Sequence, residues 1–506
     1  MIAAWPSPAG TSEYALAFDR GREKRVLVLP AWFDEGNKLR RLTVEVMRRL
    51  DGAGIDAFLP DLPGCNESGA PLEAQTLEGW REAAGAAANH FSATHVLAIR
   101  AGALVAPDLP GWRYAPVSGS PLLRGLLRAR TVAAREAGRE ETREGLLGQG
   151  RREGLELAGH RLGAAMIAAL EEAEPPENPR QRVIAQADLG GAALWLRAEP
   201  DYDHRQADAL AAILTMELIS TSARGELVEP RLARPIALRQ AQDERNGMPG
   251  RHLQFDCAGA KLAGTLDAAS GANGLLIVTG GNETRAGAFS GQAQLAARVA
   301  AAGHPVFRFD RRGVGDSESV NMGFRHSGED IAAALAAFRA ECPHLQRVVA
   351  FGNCDAASAL VLGRGCGADA LILSNPWTYD GDEGESAPPP PAAIRARYLE
   401  KLRNPREVCR LLTGGVDLGK LARGLRSAAS SDNAPSGLAG EMLAGLAGFA
   451  GPVSFVVAGR DRTGQAFLAA WDKADERIAL CPGADHAYSG DAAQAWLLAR
   501  LLEALR

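Results

Sequence analysis

Apolar residues in this chain fall in short unbroken runs, each followed by a stretch in which apolar positions recur three and four apart. Unbroken runs bounded by turn residues read as strands buried on both faces, and the wider spacing reads as helix. LLIVTGGNETRAG (275–287) is such a strand running into a Gly-Asn loop; the helical stretch QAQLAARVAAAGH follows, then the strand and loop PVFRFDRRGVGDSES. The first half has the same order. VLVLPAWFDEGNKLRR (26–41) is a strand and Gly-Asn loop, and LTVEVMRRLDGAGIDAFLPDLPGCNES gives helix, strand and loop again.

The two passages match at a constant offset of 249 positions: Gly54 with Gly303, Phe58 with Phe307, Asp61 with Asp310, Gly64 with Gly313 and Ser68 with Ser317. Each half then continues into a further apolar strand that ends in a small-residue turn, HVLAIRAGALVA (95–106) and RVVAFGNCDAASALVLG (347–363). Strands alternating with helices require crossover connections, so both halves are expected to be α/β domains with mostly parallel sheets and ligands beyond the strands' carboxyl ends. We assign 1–215 to the first domain, 216–250 to a linker and 251–506 to the second. The polar, arginine-rich run 220–250 lacks useful periodicity. It resembles translated intergenic repeat DNA of some bacterial genomes, as at a junction of two formerly separate chains.

Composition narrows the function. Of 506 residues 46% are hydrophobic and 23% charged, and the net charge is −5. That is ordinary for a globular protein and gives no electrostatic reason to expect nucleic acid or an anionic membrane surface. The N-terminus MIAAWPSPAGTSEY lacks a basic stretch followed by an apolar run, and no run of 18 apolar residues occurs. Secretion and membrane spanning therefore lack support, and a cytoplasmic protein is expected. Seven cysteines without a CxxC pair read as reduced thiols. Without a GxxxxGK loop or clustered His and Asp ligands, neither a cofactor nor a metal is expected.

One motif carries chemistry. Gly352-Asn353-Cys354-Asp355-Ala356 has the form of a nucleophile elbow, a strand-to-helix turn with small residues two positions either side of the reactive side chain. Cysteine stands where the G-x-S-x-G pattern has serine, and alanine replaces the last glycine. VVAF precedes the turn and AASALVL follows it, which puts Cys354 near a helix N-terminus, where backbone dipoles favour a thiolate. A small buried cysteine would have the same sequence, so the partners decide. In α/β hydrolases the order is nucleophile, acid, histidine. Asp461 follows the strand PVSFVVAGR, and His486 lies in LCPGADHAY after IALC. Asp475 and Asp485 are alternative acids. His304 precedes a strand, His326 and His344 sit near helix boundaries and His252 opens the domain, so His486 is the base.

The oxyanion hole expected for such a site draws on the N–H of Asp355 and on the loop Gly280-Gly281-Asn282, with Gly281 or Asn282 as second donor. Glu283 and Arg285 could bind a polar or anionic substrate group, or be solvated. Residues 377–445, from WTYDGDEGESAPPPP through LGKLARGL, interrupt the alternation of strand and helix. They are expected to form a helical cap that sets substrate choice.

FDRRGVGDSE with GGNETRAG, AFGNCDAASAL, the proline-rich stretch and GVDLGKLARGL resemble the type-one exosortase A system-associated hydrolases over about 251–506. GNKLRR with LPDLPGCNESG, AIRAGALVA and LELAGHRLG resemble the type-two hydrolases over about 15–215. The resemblance implies a fusion of the two, α/β-hydrolase folds in both halves, and an association with bacterial exopolysaccharide production and exosortase sorting. It implies no particular substrate. The cysteine with an Asp-His pair is also similar to dienelactone hydrolases.

Aligning HVLAIRAGA with RVVAFGNCDA puts Arg100 at the first half's nucleophile position, where a permanently protonated guanidinium cannot attack a carbonyl. His160, in a segment of helical character, and His204 offer no evident base. Arg100 could instead bind a carboxylate or phosphate, or be a surface residue on a degenerate turn. Two functions follow. The chain is a hydrolase or acyltransferase acting on an ester, thioester or lactone, with a small-molecule or glycan-linked acyl substrate; alternatively it is a non-catalytic ligand-binding or scaffold protein of the same system. Oligomeric state is not legible.

Overall fold

Unbroken apolar runs become central strands. The structure is a computed structural model that describes residues 2–136, 139–222, 250–379, 437–472 and 474–506. Most of the expected linker (223–249) and cap (380–436) lies outside the described residues. The chain divides into two compact units, Met1–Ala269 with Asn282–Ala301 and Val306–Asn321, and Ser270–Gly281 with Ala302–Pro305 and Met322–Arg506.

In the first unit β1 (Ile2–Pro6), β2 (Ser12–Phe18), β3 (Arg25–Leu29), β4 (Asp56–Pro60), β5 (His95–Ile99), β6 (Gly111–Tyr114) and, beyond a hairpin, β9 (Gln181–Ile184) form a seven-stranded sheet in the order β1-β2-β4-β3-β5-β6-β9. β4, β3, β5, β6 and β9 run parallel, and β1 and β2 are antiparallel additions at one edge. Alternate side chains of β3 enter opposite layers. Leu27 and Leu29 join the core of Trp5, Phe58 and Trp80, which the helix Leu77–His90 covers; Val26 and Val28 join Leu42, Met47 and Leu210 from the helices Asp34–Gly52 and His204–Ser222. Burial on both faces is why the strand reads as a run rather than an alternation.

The segment LELAGHRLG, expected to be helical, is instead a hairpin of β7 (Leu155–Leu157) and β8 (His160–Leu162). Ala158 (φ 51°) and Gly159 (φ 83°) supply the two left-handed residues that a tight hairpin turn needs.

The first unit also contains the antiparallel ladder β10 (Arg251–Cys257), β11 (Ala260–Asp267) and β13 (Val306–Phe309). The repeat at offset 249 has a chemical counterpart here. Asp61, just after β4, accepts the N–H of Glu67 at 3.2 Å; Asp310, just after β13, accepts the N–H of Asp316 at 2.9 Å. The two second acids are then exchanged. Glu67 of the first half holds Arg308 through both oxygens at 3.0 Å. Asp316 of the second half holds Arg40 at 2.6 and 3.0 Å and accepts the hydroxyl of Tyr14 at 2.9 Å. All five side chains are buried. Burial opposes the charge of Glu67, but Arg308 and Arg285 outweigh it and hold its carboxyl at about 2.

In the second unit β12 (Asn273–Val278), β14 (Arg347–Asn353), β15 (Ala370–Ser374), β16 (Val453–Ala458) and β17 (Ile478–Cys481) form a wholly parallel run in the order β12-β14-β15-β16-β17. Of the expected cap, the helix Gly437–Ala447 is described; it packs on the helix Asp355–Leu362, where a Cβ on Gly445 would lie 2.3 Å from the Val361 carbonyl oxygen. No helix among the described residues is long and apolar enough to cross a membrane.

Candidate functional site

The central strand β14 ends at Cys354, which turns the chain with φ 60° and ψ −127° into the helix Asp355–Leu362. Left-handed backbone at a non-glycine residue is strained and persists where the surroundings over-determine it. Here the Cys354 N–H donates to the Ser374 carbonyl at 2.9 Å, and its own carbonyl accepts from Ala357 and Trp377, each at 3.2 Å. Gly352 is needed because a Cβ there would lie 2.8 Å from the carbonyl carbon of Ala356. Gly280 is needed for the same reason, since its Cβ would meet the Asn353 carbonyl and Oδ1 of Asp355 at 2.4 Å.

Asp461 follows β16 and caps the helix Arg462–Ala470, its Oδ2 accepting from the Gly464 N–H at 2.9 Å. The same oxygen lies 3.0 Å from Nδ1 of His486, in the loop after β17. His486 also shares a side-chain hydrogen bond with Cys354, which leaves Nε2 as the ring nitrogen for the thiol. The three residues that the sequence singled out as nucleophile, acid and base are thus in one connected set. Of the alternative acids, Asp475 pairs with Arg477 at 2.6 Å and Asp485 accepts the N–H of Ser489 at 2.8 Å. His304 contacts the Asn273 carbonyl at 3.0 Å and His252 is buried against Thr265.

The three groups are electrostatically coupled. Burial pushes the Cys354 thiol above its ordinary value, partly offset by His486 and the N–H of Asp355. Partial burial of the ring, which is 44% exposed, works against its charge, but the hydrogen bonds to Asp461 and Cys354 outweigh it and hold His486 above its usual value. Burial likewise works against Asp461, and His486 with the Gly464 and Thr463 N–H groups brings its carboxyl below the usual range.

Two asparagines that the sequence did not flag tie the loops together. Asn353 donates to the His486 carbonyl at 3.2 Å and accepts from Nδ2 of Asn375 at 3.0 Å; Oδ1 of Asn375 accepts the Ala458 N–H at 2.8 Å. Asn375 is fully buried with φ 41°. One side chain thereby connects the elbow with the strand end that leads to Asp461. Tyr379, whose hydroxyl is pushed up to about 12 by burial and then by the charges of Asp461 and Cys354, lies beside them.

Other expected site residues have different surroundings. The Gly281 N–H donates to Oδ1 of Asp355 at 2.9 Å, so it is already taken and is not open to an oxyanion. Asn282 (φ 58°), Glu283 and Arg285 belong to the first unit. Asn282 accepts from Asn321 at 2.7 Å, and Glu283 accepts the Ala288 N–H at 3.1 Å, closing its own loop. Arg285 is not a substrate contact: it is 1% exposed and paired with Asp310 at 2.7 Å and Asp316 at 3.1 Å. Arg100 has the elbow's left-handed backbone (φ 54°), but the carboxylate it holds is the chain's own Glu35, at 3.0 and 3.1 Å. The Ala115 carbonyl and the Trp195 ring take up the rest of that guanidinium. Among the described residues no three His, Cys, Asp or Glu side chains are grouped as a metal site.

Residues 274–499, a little under half of the chain, match the alpha/beta hydrolase family, and the fold of this part is that of an alpha/beta hydrolase. No curated protein matches the chain. Similar solved structures include an esterase of Pyrococcus furiosus (13% identity, 50% of this chain and 89% of that one, TM-score 0.34). Others are a thioesterase domain from the curacin biosynthetic pathway (15%, 50% and 99%, 0.31) and an alpha/beta hydrolase of Penicillium sp. sh18 (16%, 51% and 98%, 0.35).

Proposed function

We propose that the alpha/beta hydrolase domain cleaves or transfers an acyl group from an ester, thioester or lactone, with Cys354 as nucleophile, His486 as base and Asp461 as its orienting acid. The observation that carries this is the double engagement of His486, with Nδ1 3.0 Å from Asp461 and a hydrogen bond to a thiol on a strained elbow. The proton shared by Cys354 and His486 sits on the imidazole as sulfur attacks the carbonyl carbon. The tetrahedral oxyanion is stabilised by the Asp355 N–H, which hydrogen-bonds the Cys354 sulfur before attack and is freed for the oxyanion once that sulfur is bonded to carbon. Collapse expels the leaving group with the proton from His486, and water or an acceptor alcohol then releases the acyl group from sulfur. The first half, with Arg100 closed by Glu35, is non-catalytic in this reading. The exopolysaccharide and exosortase association, and with it a glycan-linked acyl substrate, rests on the sequence resemblance.

The test is the pH dependence of iodoacetamide alkylation at Cys354, mapped by peptide mass, in the parent chain and in His486→Ala. A hydrogen bond to a charged group is worth about 1.5–3 kcal/mol, so losing His486 should raise the reaction's midpoint by about 1–2 pH units. A midpoint that does not move removes the nucleophile-base pair, and with it the proposal.

A further inference from the structure

A pocket of about 80 Å³ in the first unit is unused by the chemistry above. It lies at the carboxyl ends of the adjacent parallel strands β3 and β4, lined by the loops that follow them, by His160 of β8 and by residues around Phe289. That is where sheets of this class bind ligands. Its walls are aromatic: the His160 ring is 5.1 Å from Phe33 and 6.4 Å from Phe289, and Phe33 is 6.3 Å from Trp32.

The backbone around it is strained in an unusual concentration. Phe33 (φ 57°), Asn66 (φ 52°), Phe289 (φ 45°) and Ser290 (φ 58°) all line the pocket, and all are non-glycine residues in the left-handed region. Such residues cost about 1–3 kcal/mol each and cluster at ligand sites. The charges that reach the pocket are spent on one another, since Arg40 and Asp61 pair at 3.1 Å and Asn66 donates to Asp61 at 2.9 Å. Burial also lowers His160 to about 4, against a small opposing pull from Asp34, and raises the Cys65 thiol, so both are neutral near pH 7.

We propose that this pocket is a second ligand site, which takes an uncharged, apolar end of a small molecule such as a flat ring or a short acyl chain. Its volume is about half that of the 150 Å³ apolar cavity that holds benzene, so the remainder of the ligand lies in the open mouth. A quaternary ammonium group would also find aromatic faces, but here it meets no unpaired carboxylate.

Three probes with one ring and different charge test this on the full chain: benzamide, benzoate and phenyltrimethylammonium, titrated by saturation-transfer NMR. Benzamide should bind saturably and at least fivefold more tightly than either ion. Phe289→Ala, which removes a wall, and Leu72→Trp, which fills the space, should each weaken it at least fivefold while leaving Cys354 alkylation unchanged. Absence of saturable benzamide binding, equal or tighter binding of either ion, or an affinity that both variants leave intact overturns the proposal. A variant that melts early is set aside and the other decides.

Discussion

Glu67→Gln removes one negative charge from between Arg308 and Arg285 while keeping the side chain's shape and one acceptor. The carboxyl is held at about 2 instead of 4.5. At about 1.4 kcal/mol per tenfold change in acid strength, that gap corresponds to about 3 kcal/mol. Breaking one partner out of a buried ion pair costs about 3–5 kcal/mol, because the other charge is left uncompensated; both routes give the same size. Arg308 keeps Asp267 at 3.1 Å, which favours the lower end. In a thermal melt a loss of about 3 kcal/mol lowers the midpoint by roughly 6–12 °C. The pH dependence separates charge from shape. A folded-state value below the unfolded one stabilises fully above about 4.5, and the effect is lost as pH falls toward 2. The difference between parent and variant should therefore shrink steadily below pH 4.5. A difference under about 1 kcal/mol at pH 7, or one equally large at pH 3, would refute the charge-exchange account.

Asn375→Ala should cost about 2–4 kcal/mol in urea denaturation, since it leaves the Ala458 N–H and Asn353 Oδ1 unpaired in a dry site, and it should slow Cys354 alkylation as the elbow loosens. Gly280→Ala forces a methyl to 2.4 Å from two oxygens, and should destabilise by about 1–3 kcal/mol by the same assay. Burial raises Asp61 and Asp267 to about 6, against the pull of Arg40 and Arg308. The protonated forms are the favoured ones in the fold, so their contribution is present below that value and lost as pH rises through 6. Stability should accordingly increase from pH 7 to pH 5, with a flatter slope in Asp267→Asn.

The sequence carries whatever depends on period and order along the chain. Strand runs, the repeat offset and the placing of Cys354, Asp461 and His486 just beyond strand ends could all be read because each is a local or linear feature. Partner choice among equivalent charges is not linear. Arg285 reads as a loop arginine beside a Gly-Asn turn, and only folding reveals that Asp310 and Asp316 enclose it. Asn375 gives no signal beyond following a strand, because its role depends on three loops brought together from distant positions. The 155–162 hairpin was masked by residues with no strong strand preference, and the turn was betrayed only by Ala-Gly.

The exchange of acids between repeats also sets a schedule for synthesis. Glu67 and Arg308 are 241 residues apart, and Arg40 and Asp316 are 276 apart. At about 5–20 residues per second on the ribosome, the first half waits roughly 12–50 s after Glu67 is made before its cationic partner is added to the chain. Throughout that interval Tyr14, Arg40 and Glu67 belong to a nascent domain whose buried ion pairs lack their second members. Because both halves belong to one polypeptide, the missing charges arrive in equal number, but only after the first half has left the ribosome with its acids and cations incompletely paired.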